Sequence, residues 1–153
     1  MQILEKKVMG RILAIDYGQK RVGIAVTDEL QLIANALLTV AVGEVFPFLT
    51  EYTQKEKVSL FLVGEPKQMD YTASSASKYI TPFVNKLRTV FPDIPIKRAD
   101  ERFTSKMAFQ TMIEAGLGKK ARQNKALVDS ISATIMLQTY LESLEYQTDN
   151  ENR

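Results

Sequence analysis

Two rhythms of apolar residues alternate along the chain. Residues 12–15 form an unbroken apolar run that reads as a buried strand, ending in a carboxylate, Asp16, and a turn at Gly18. A second run over 22–26 returns, which makes a hairpin, and 36–42 reads as a third strand completing an antiparallel meander. The rhythm then changes. Val45, Phe48, Leu49 and Tyr52 recur at helical spacing, so 44–56 is expected to be a short amphipathic helix with Pro47 in its first turn. Residues 58–63 are a buried strand closed by Gly64, Glu65 and Pro66. Ala76, Ile80, Phe83, Val84, Leu87 and Phe91 mark a longer helix, in which Pro82 should cause a kink or cost one hydrogen bond. A fifth strand over 94–99 runs into Asp100-Glu101-Arg102, and Thr104 or Ser105 caps a helix stopped by Gly116. After a basic loop over 117–125, a last helix is expected over 124–145.

The alternation of strands with crossover helices predicts an α/β fold: a five-stranded mixed sheet, a three-strand antiparallel meander plus parallel strands, with helices on both faces. Residues 1–8 are expected to be an N-terminal extension, 9–146 a single domain and 147–153 a disordered tail.

Composition narrows the chemistry. The 153 residues contain no cysteine and no histidine. Histidine general bases, Ser-His-Asp triads and most zinc sites are thereby excluded. No stretch is apolar enough for a membrane span and the N-terminus lacks the order of a signal peptide, so a cytoplasmic protein is expected. The net charge of +2 is too small to argue for a polyanion, but its distribution is informative. Lys97, Arg98, Arg102, Lys106, Lys119, Lys120, Arg122 and Lys125 crowd one segment around Asp100, Glu101 and Glu114, which suits a phosphate chain and also an ordinary solvated face.

The acids decide more. Asp16 ends a buried strand and needs a positive neighbour, for which Lys20, Arg21 and a metal ion are the candidates. Asp129 leads Ala133, Met136, Tyr140 and Leu144 along the apolar face of the last helix, with Ser130, Thr134 and Gln138 on the opposite side. It therefore needs a partner, either an Arg or Lys from a strand or a metal. Strands one, four and five, read as parallel, bring Asp16, Asp100 or Glu101, and Asp129 to one edge of the sheet. Oxygen ligands alone suit Mg²⁺ or Mn²⁺, and a pair of such ions serves phosphodiester hydrolysis.

This order of elements with acids at these positions resembles the ribonuclease H-like fold. More closely, the chain resembles the YqgF family, also called RuvX, of candidate pre-16S rRNA nucleases or Holliday junction resolvase-like proteins. The resemblance spans residues 9–142. It rests on Asp16-Tyr17-Gly18 with Lys20-Arg21-Val22-Gly23 and Asp28, and on Val63-Gly64 with Pro66 and Met69-Asp70. Asp100-Glu101-Arg102 with Thr104-Ser105, and Val128-Asp129 with Ala133 and the run from Leu137 to Glu142, complete it. Glu65 and Tyr71 depart from the family pattern. The resemblance implies Asp16, Glu101 and Asp129 as metal-binding catalytic acids, with Asp100 as a further metal neighbour and Asp28 as a loop residue. Lys20, Arg21, Lys67, Arg102, Lys119, Lys120, Arg122 and Lys125 are the expected nucleic-acid contacts. The implied partner is pre-rRNA or branched DNA, within ribosomal precursor particles, and the protein is expected as a monomer or weak homodimer. Two rivals stand beside this reading. A sugar-kinase or actin-type ATPase opens with a similar Asp-x-Gly turn but needs a second domain, and a non-catalytic nucleic-acid-binding module would not need the acids.

Overall fold

The computed structural model describes residues 10–64, 73–99, 110, 116, 118 and 124–151. Strands β1 (Arg11–Tyr17), β2 (Arg21–Thr27) and β3 (Ala34–Ala41) form the meander, and a 3-10 turn over Val42–Glu44 leads into helix α1 (Val45–Lys55). Strand β4 (Val58–Gly64), helix α2 (Ala73–Val90), strand β5 (Ile96–Arg98) and helix α3 (Lys125–Glu151) follow. The sheet order is β3-β2-β1-β4-β5, antiparallel between β1, β2 and β3 and parallel between β1, β4 and β5. This is the five-stranded mixed sheet, a three-strand antiparallel meander plus parallel strands, that the sequence predicts.

Alternation along the strands sorts the side chains to two unlike faces. Leu13, Ile15, Val22, Ile24, Phe61 and Val63 point to one side and pack against Val45 and Leu49 of α1 and Ile80, Phe83, Val84 and Leu87 of α2. Tyr17 joins them, stacked on Phe83 with ring centroids 4.3 Å apart, and burial pushes its hydroxyl pKa up. The other side carries Ile12, Ala14, Ala25 and Leu62 against Ala133, Met136, Leu137 and Leu141 of α3. Small residues on that side let α3 approach the sheet closely.

Some boundaries differ from the sequence expectation. α3 continues to Glu151, past the expected end at 145 and into the segment expected to be a disordered tail, because no Gly or Pro interrupts it. α2 contains Pro82 as expected, on its exposed side where solvent can take the freed carbonyl. β5 is shorter than expected, three residues. The expected helix after Thr104 and most of the basic loop lie outside the described residues, as do residues 1–8.

Asp28 builds the loop between β2 and β3. Its Oδ1 accepts from the backbone N–H groups of Leu32 and Ile33, both at 2.8 Å, and its Oδ2 from Leu30 at 3.1 Å. The loop passes through Gln31 at φ 60, in the left-handed region, where the Gln31 amide is tied to the Gly10 carbonyl and to Ser59 Oγ. Burial alone would raise the Asp28 pKa, but the N–H groups of Ile33, Leu32, Asp28 itself and Leu30 outweigh it and hold the carboxyl below its usual range. With the folded pKa depressed, the loop is fully supported above the unfolded value of about 3.9 and loosens as pH falls through the folded pKa. A carbon-detected NMR titration should therefore give Asp28 a midpoint below that value. Asp28→Ala should increase amide exchange at Leu32 and Ile33 and leave the α3 side of the sheet unchanged.

Candidate active site at the sheet edge

β1, β4 and β5 are parallel, so their carboxyl ends meet at one edge; β2 runs the other way and begins there. Asp16 is the penultimate residue of β1. Its parity matches Ile12 and Ala14, so its side chain lies on the α3 face, only 6% exposed. Its partner across β2 is Gly23 and its partner across β4 is Gly64. Both glycines face α3, and neither could carry a side chain. A Cβ at Gly23 would collide with the backbone carbonyl of Asp129, and one at Gly64 would meet Met136 Sδ at 2.6 Å and Ala99 Cβ at 2.7 Å. The buried carboxylate is thus flanked by two positions with no side chain, and α3 crosses directly over one of them.

That crossing brings in Asp129. Its backbone packs against Gly23, the residue beside Asp16, so the two acids share one face of the sheet although the chain separates them widely. Arg21, on the same face as Gly23, donates from Nε to Asp129 Oδ2 at 2.7 Å, with the two side chains 38% and 25% exposed. Of the two partners the sequence offered for Asp129, the structure shows a strand arginine. Asp129 also sits at the rim of the packed face of α3 rather than at its middle. The face is rotated toward Ser130, Ser132, Leu137 and Leu141, all buried. Ser130 was expected on the solvent side; its hydroxyl is satisfied by the Leu127 carbonyl at 3.1 Å, so burying it is inexpensive.

The remaining predicted residues divide cleanly. Lys20 is exposed in the β1–β2 turn at this edge, and its carbonyl accepts from Val42 N–H at 3.0 Å. Lys125 is the first residue of α3. Asp100, Glu101, Lys67, Arg102, Lys119, Lys120 and Arg122 lie outside the described residues. Ala99, two residues before Glu101, packs on the α3 side, and its N–H donates to Val63 at 2.9 Å. Among the described residues no three acids form a cluster that could hold a metal. The pair Asp16 and Asp129 is what this part of the chain supplies.

Sequence reasoning missed the spatial role of Gly23 and Gly64, which appear in the motifs only as letters. It also missed the contact of Lys97 with Tyr140, whose ring centroid lies 5.2 Å from Nζ, where α3 reaches β5. A same-face glycine beside a strand-terminal acid is the signal that could have revealed the first.

The donor set suits a hard cation. Its two acids offer carboxylate oxygens and no imidazole, while the space over the flanking glycines is filled by the α3 backbone, Met136 and Ala99.

The sequence model of the RuvX family, described as Holliday junction resolvase, matches residues 10–143. A relative from Flavobacterium psychrophilum, named as a candidate pre-16S rRNA nuclease, is 63% identical over 133 residues, 87% of this chain and 97% of its own. One of the same name from Bacteroides thetaiotaomicron is 59% identical over 138 residues, 90% of this chain and 100% of its own. Among solved structures, T. thermophilus RuvC in complex with Holliday junction substrate aligns with TM-score 0.49 and 16% identity, covering 88% of this chain and 95% of that one.

Proposed function

The chain belongs to the RuvX family, and from that premise we propose that it is a divalent-metal-dependent endonuclease acting on structured nucleic acid, with processing of the 5′ end of pre-16S rRNA as its task. The observation that carries the reading is the convergence of Asp16 and Asp129 on one face at the carboxyl edge of the sheet. Two acids brought together there, one buried and one held by an arginine, are poorly explained by stability alone. The names of the relatives supply the substrate class.

In this reading Asp16 and Asp129 hold Mg²⁺ or Mn²⁺, with Glu101 as the third acid. Such an ion would supply positive charge for the attacking and leaving oxygens of a phosphodiester. The chain's own contribution is placement. Gly23 lets the α3 backbone close onto the sheet beside Asp16, Gly64 accommodates Met136 and Ala99, and the packing of α3 on Gly23 fixes where Asp129 stands. Lys20 at this edge, with Lys67, Arg102, Lys119, Lys120, Arg122 and Lys125, would contact backbone phosphates.

The partner is then the rRNA precursor, met within ribosomal precursor particles in the cytoplasm. None of the described helices is long and apolar enough to cross a membrane. The family's description favours one second reading, cleavage of four-way DNA junctions by the same acids. Titrating Mg²⁺ and Mn²⁺ against end-labelled precursor RNA and a four-way junction separates the two. The proposal expects metal-dependent cuts in the RNA at a defined 5′ position. Junction cleavage without RNA cleavage transfers the assignment to DNA, and neither cut at any metal concentration overturns the enzyme.

The choice between Asp100 and Glu101 has its own test. The resemblance to the family favours Glu101 as the ligand, with Asp100 as its neighbour. Glu101→Gln should lose both cleavage and thermal stabilisation by metal, whereas Asp100→Asn should keep the larger part of both. Greater damage from Asp100→Asn at saturating metal would reverse the assignment.

A further inference from the structure

We propose that Arg21 is a placeholder cation for the metal site, so that occupancy by a divalent ion and capture of a substrate phosphate become mutually dependent. The inference rests on the metal-dependent reading above and adds a residue that exchanges partners. Its basis is the 2.7 Å bond from Arg21 Nε to Asp129 Oδ2, beside the buried Asp16.

Three features make the pair an exchangeable contact. The arginine backbone is fixed: Gly18 N–H donates to its carbonyl at 3.1 Å, and the residue pairs with Ala41 across β2–β3. Any change of partner must therefore be made by the side chain alone. That side chain is 38% exposed and rises from the open edge of the sheet, so it can turn outward without disturbing the core. Finally, the bond uses Nε on one carboxylate oxygen. A planar guanidinium is equally suited to two parallel hydrogen bonds with a phosphate.

The consequence is electrostatic. With no divalent ion present, Arg21 supplies the positive charge for Asp129. A divalent ion arriving at the same carboxylate meets a cation already in place, and the two repel at short range. A phosphodiester reaching the edge offers the guanidinium another anion and so releases Asp129. Metal and phosphate should then each improve the affinity for the other, as reciprocal coupling requires. The free protein would hold metal weakly and the substrate complex would hold it well.

Binding of Mn²⁺ to the full chain without nucleic acid, followed by isothermal titration calorimetry, tests this in the wild type, Arg21→Gln and Arg21→Lys. Removing the competing charge should tighten Mn²⁺ binding at least about threefold in Arg21→Gln. Arg21→Lys, which keeps the charge, should stay close to wild type. Equal or weaker binding by Arg21→Gln overturns the placeholder role and makes Arg21 a plain brace for Asp129; Arg21→Lys binding as tightly as Arg21→Gln overturns it too. Should Arg21→Gln fail to fold, the Arg21 Nε–H resonance of the wild type decides. It should move away from its carboxylate-bonded position as Mg²⁺ saturates the protein, and an unmoved resonance at saturation overturns the proposal. Absence of any Mn²⁺ or Mg²⁺ binding by the wild type is a different failure, which removes the metal-dependent reading and this inference together.

Discussion

Asp16→Asn should reduce cleavage about a thousandfold or more while the fold survives. Exchanging one carboxylate oxygen for an amide keeps the size of the side chain, which matters at a site 6% exposed and hemmed in by α3. The change removes a charge that a hard cation needs, and even partners one step removed from a metal cost about 10–100-fold when lost. The signature is a pair of results. Circular dichroism should match the wild type, and the rise in melting temperature expected of the wild type with Mg²⁺ should vanish. Asp129→Asn should be as damaging to cleavage but less clean in stability. It strips Arg21 of its carboxylate, an ion pair that is partly exposed and worth up to about 1 kcal/mol. Retained cleavage by Asp16→Asn at more than a tenth of the wild-type rate would remove this residue from the chemistry.

Gly23→Ala is expected to be the most disruptive of the Gly→Ala changes. The added carbon would fall on the Asp129 carbonyl and close to the Ser130 nitrogen, which are backbone atoms that no rotamer change can move aside. The first turns of α3 would have to lift from the sheet. Overpacking of this kind costs about 1–3 kcal/mol, and a backbone-to-backbone clash belongs at the upper end. The effect on cleavage should exceed the effect on folding, because lifting α3 withdraws Asp129 from Asp16. Gly43→Ala is the control, since a Cβ there meets nothing within 4 Å. A Gly23→Ala variant with wild-type melting temperature and activity would contradict the packing of α3 on Gly23.

Much of this was readable from the chain, for identifiable reasons. Unbroken apolar runs and period-two alternation located β1, β2 and β4, because a strand buried on both faces has little choice of residue. Asp16 stood out as a carboxylate ending such a run, a placement that physical chemistry makes expensive. The partner of Asp129 was not readable. A strand arginine and a metal satisfy the same requirement, and the choice depends on a packing distance between β2 and α3. Helical spacing also misjudged the face of α3 by about one position. It scored Ser130 as a solvent residue, yet a serine bonded to its own helix can be buried against a close-packed sheet. The glycines carry the same lesson: Gly23 and Gly64 acquire meaning from what crosses over them, and sequence spacing does not encode that. Glu101 is assigned by resemblance, and the basic residues from Lys119 onward by the distribution of charge along the chain.

The most direct test is the location of the ion itself. Crystals grown with Mn²⁺ should give an anomalous difference peak on the α3 face of the sheet, at roughly 2.0–2.3 Å from carboxylate oxygens of Asp16 and Asp129. A single peak between the two acids, or two peaks sharing Asp16, agrees with the account. Manganese bound elsewhere on the protein, with no peak touching Asp16 at saturating concentration, contradicts it.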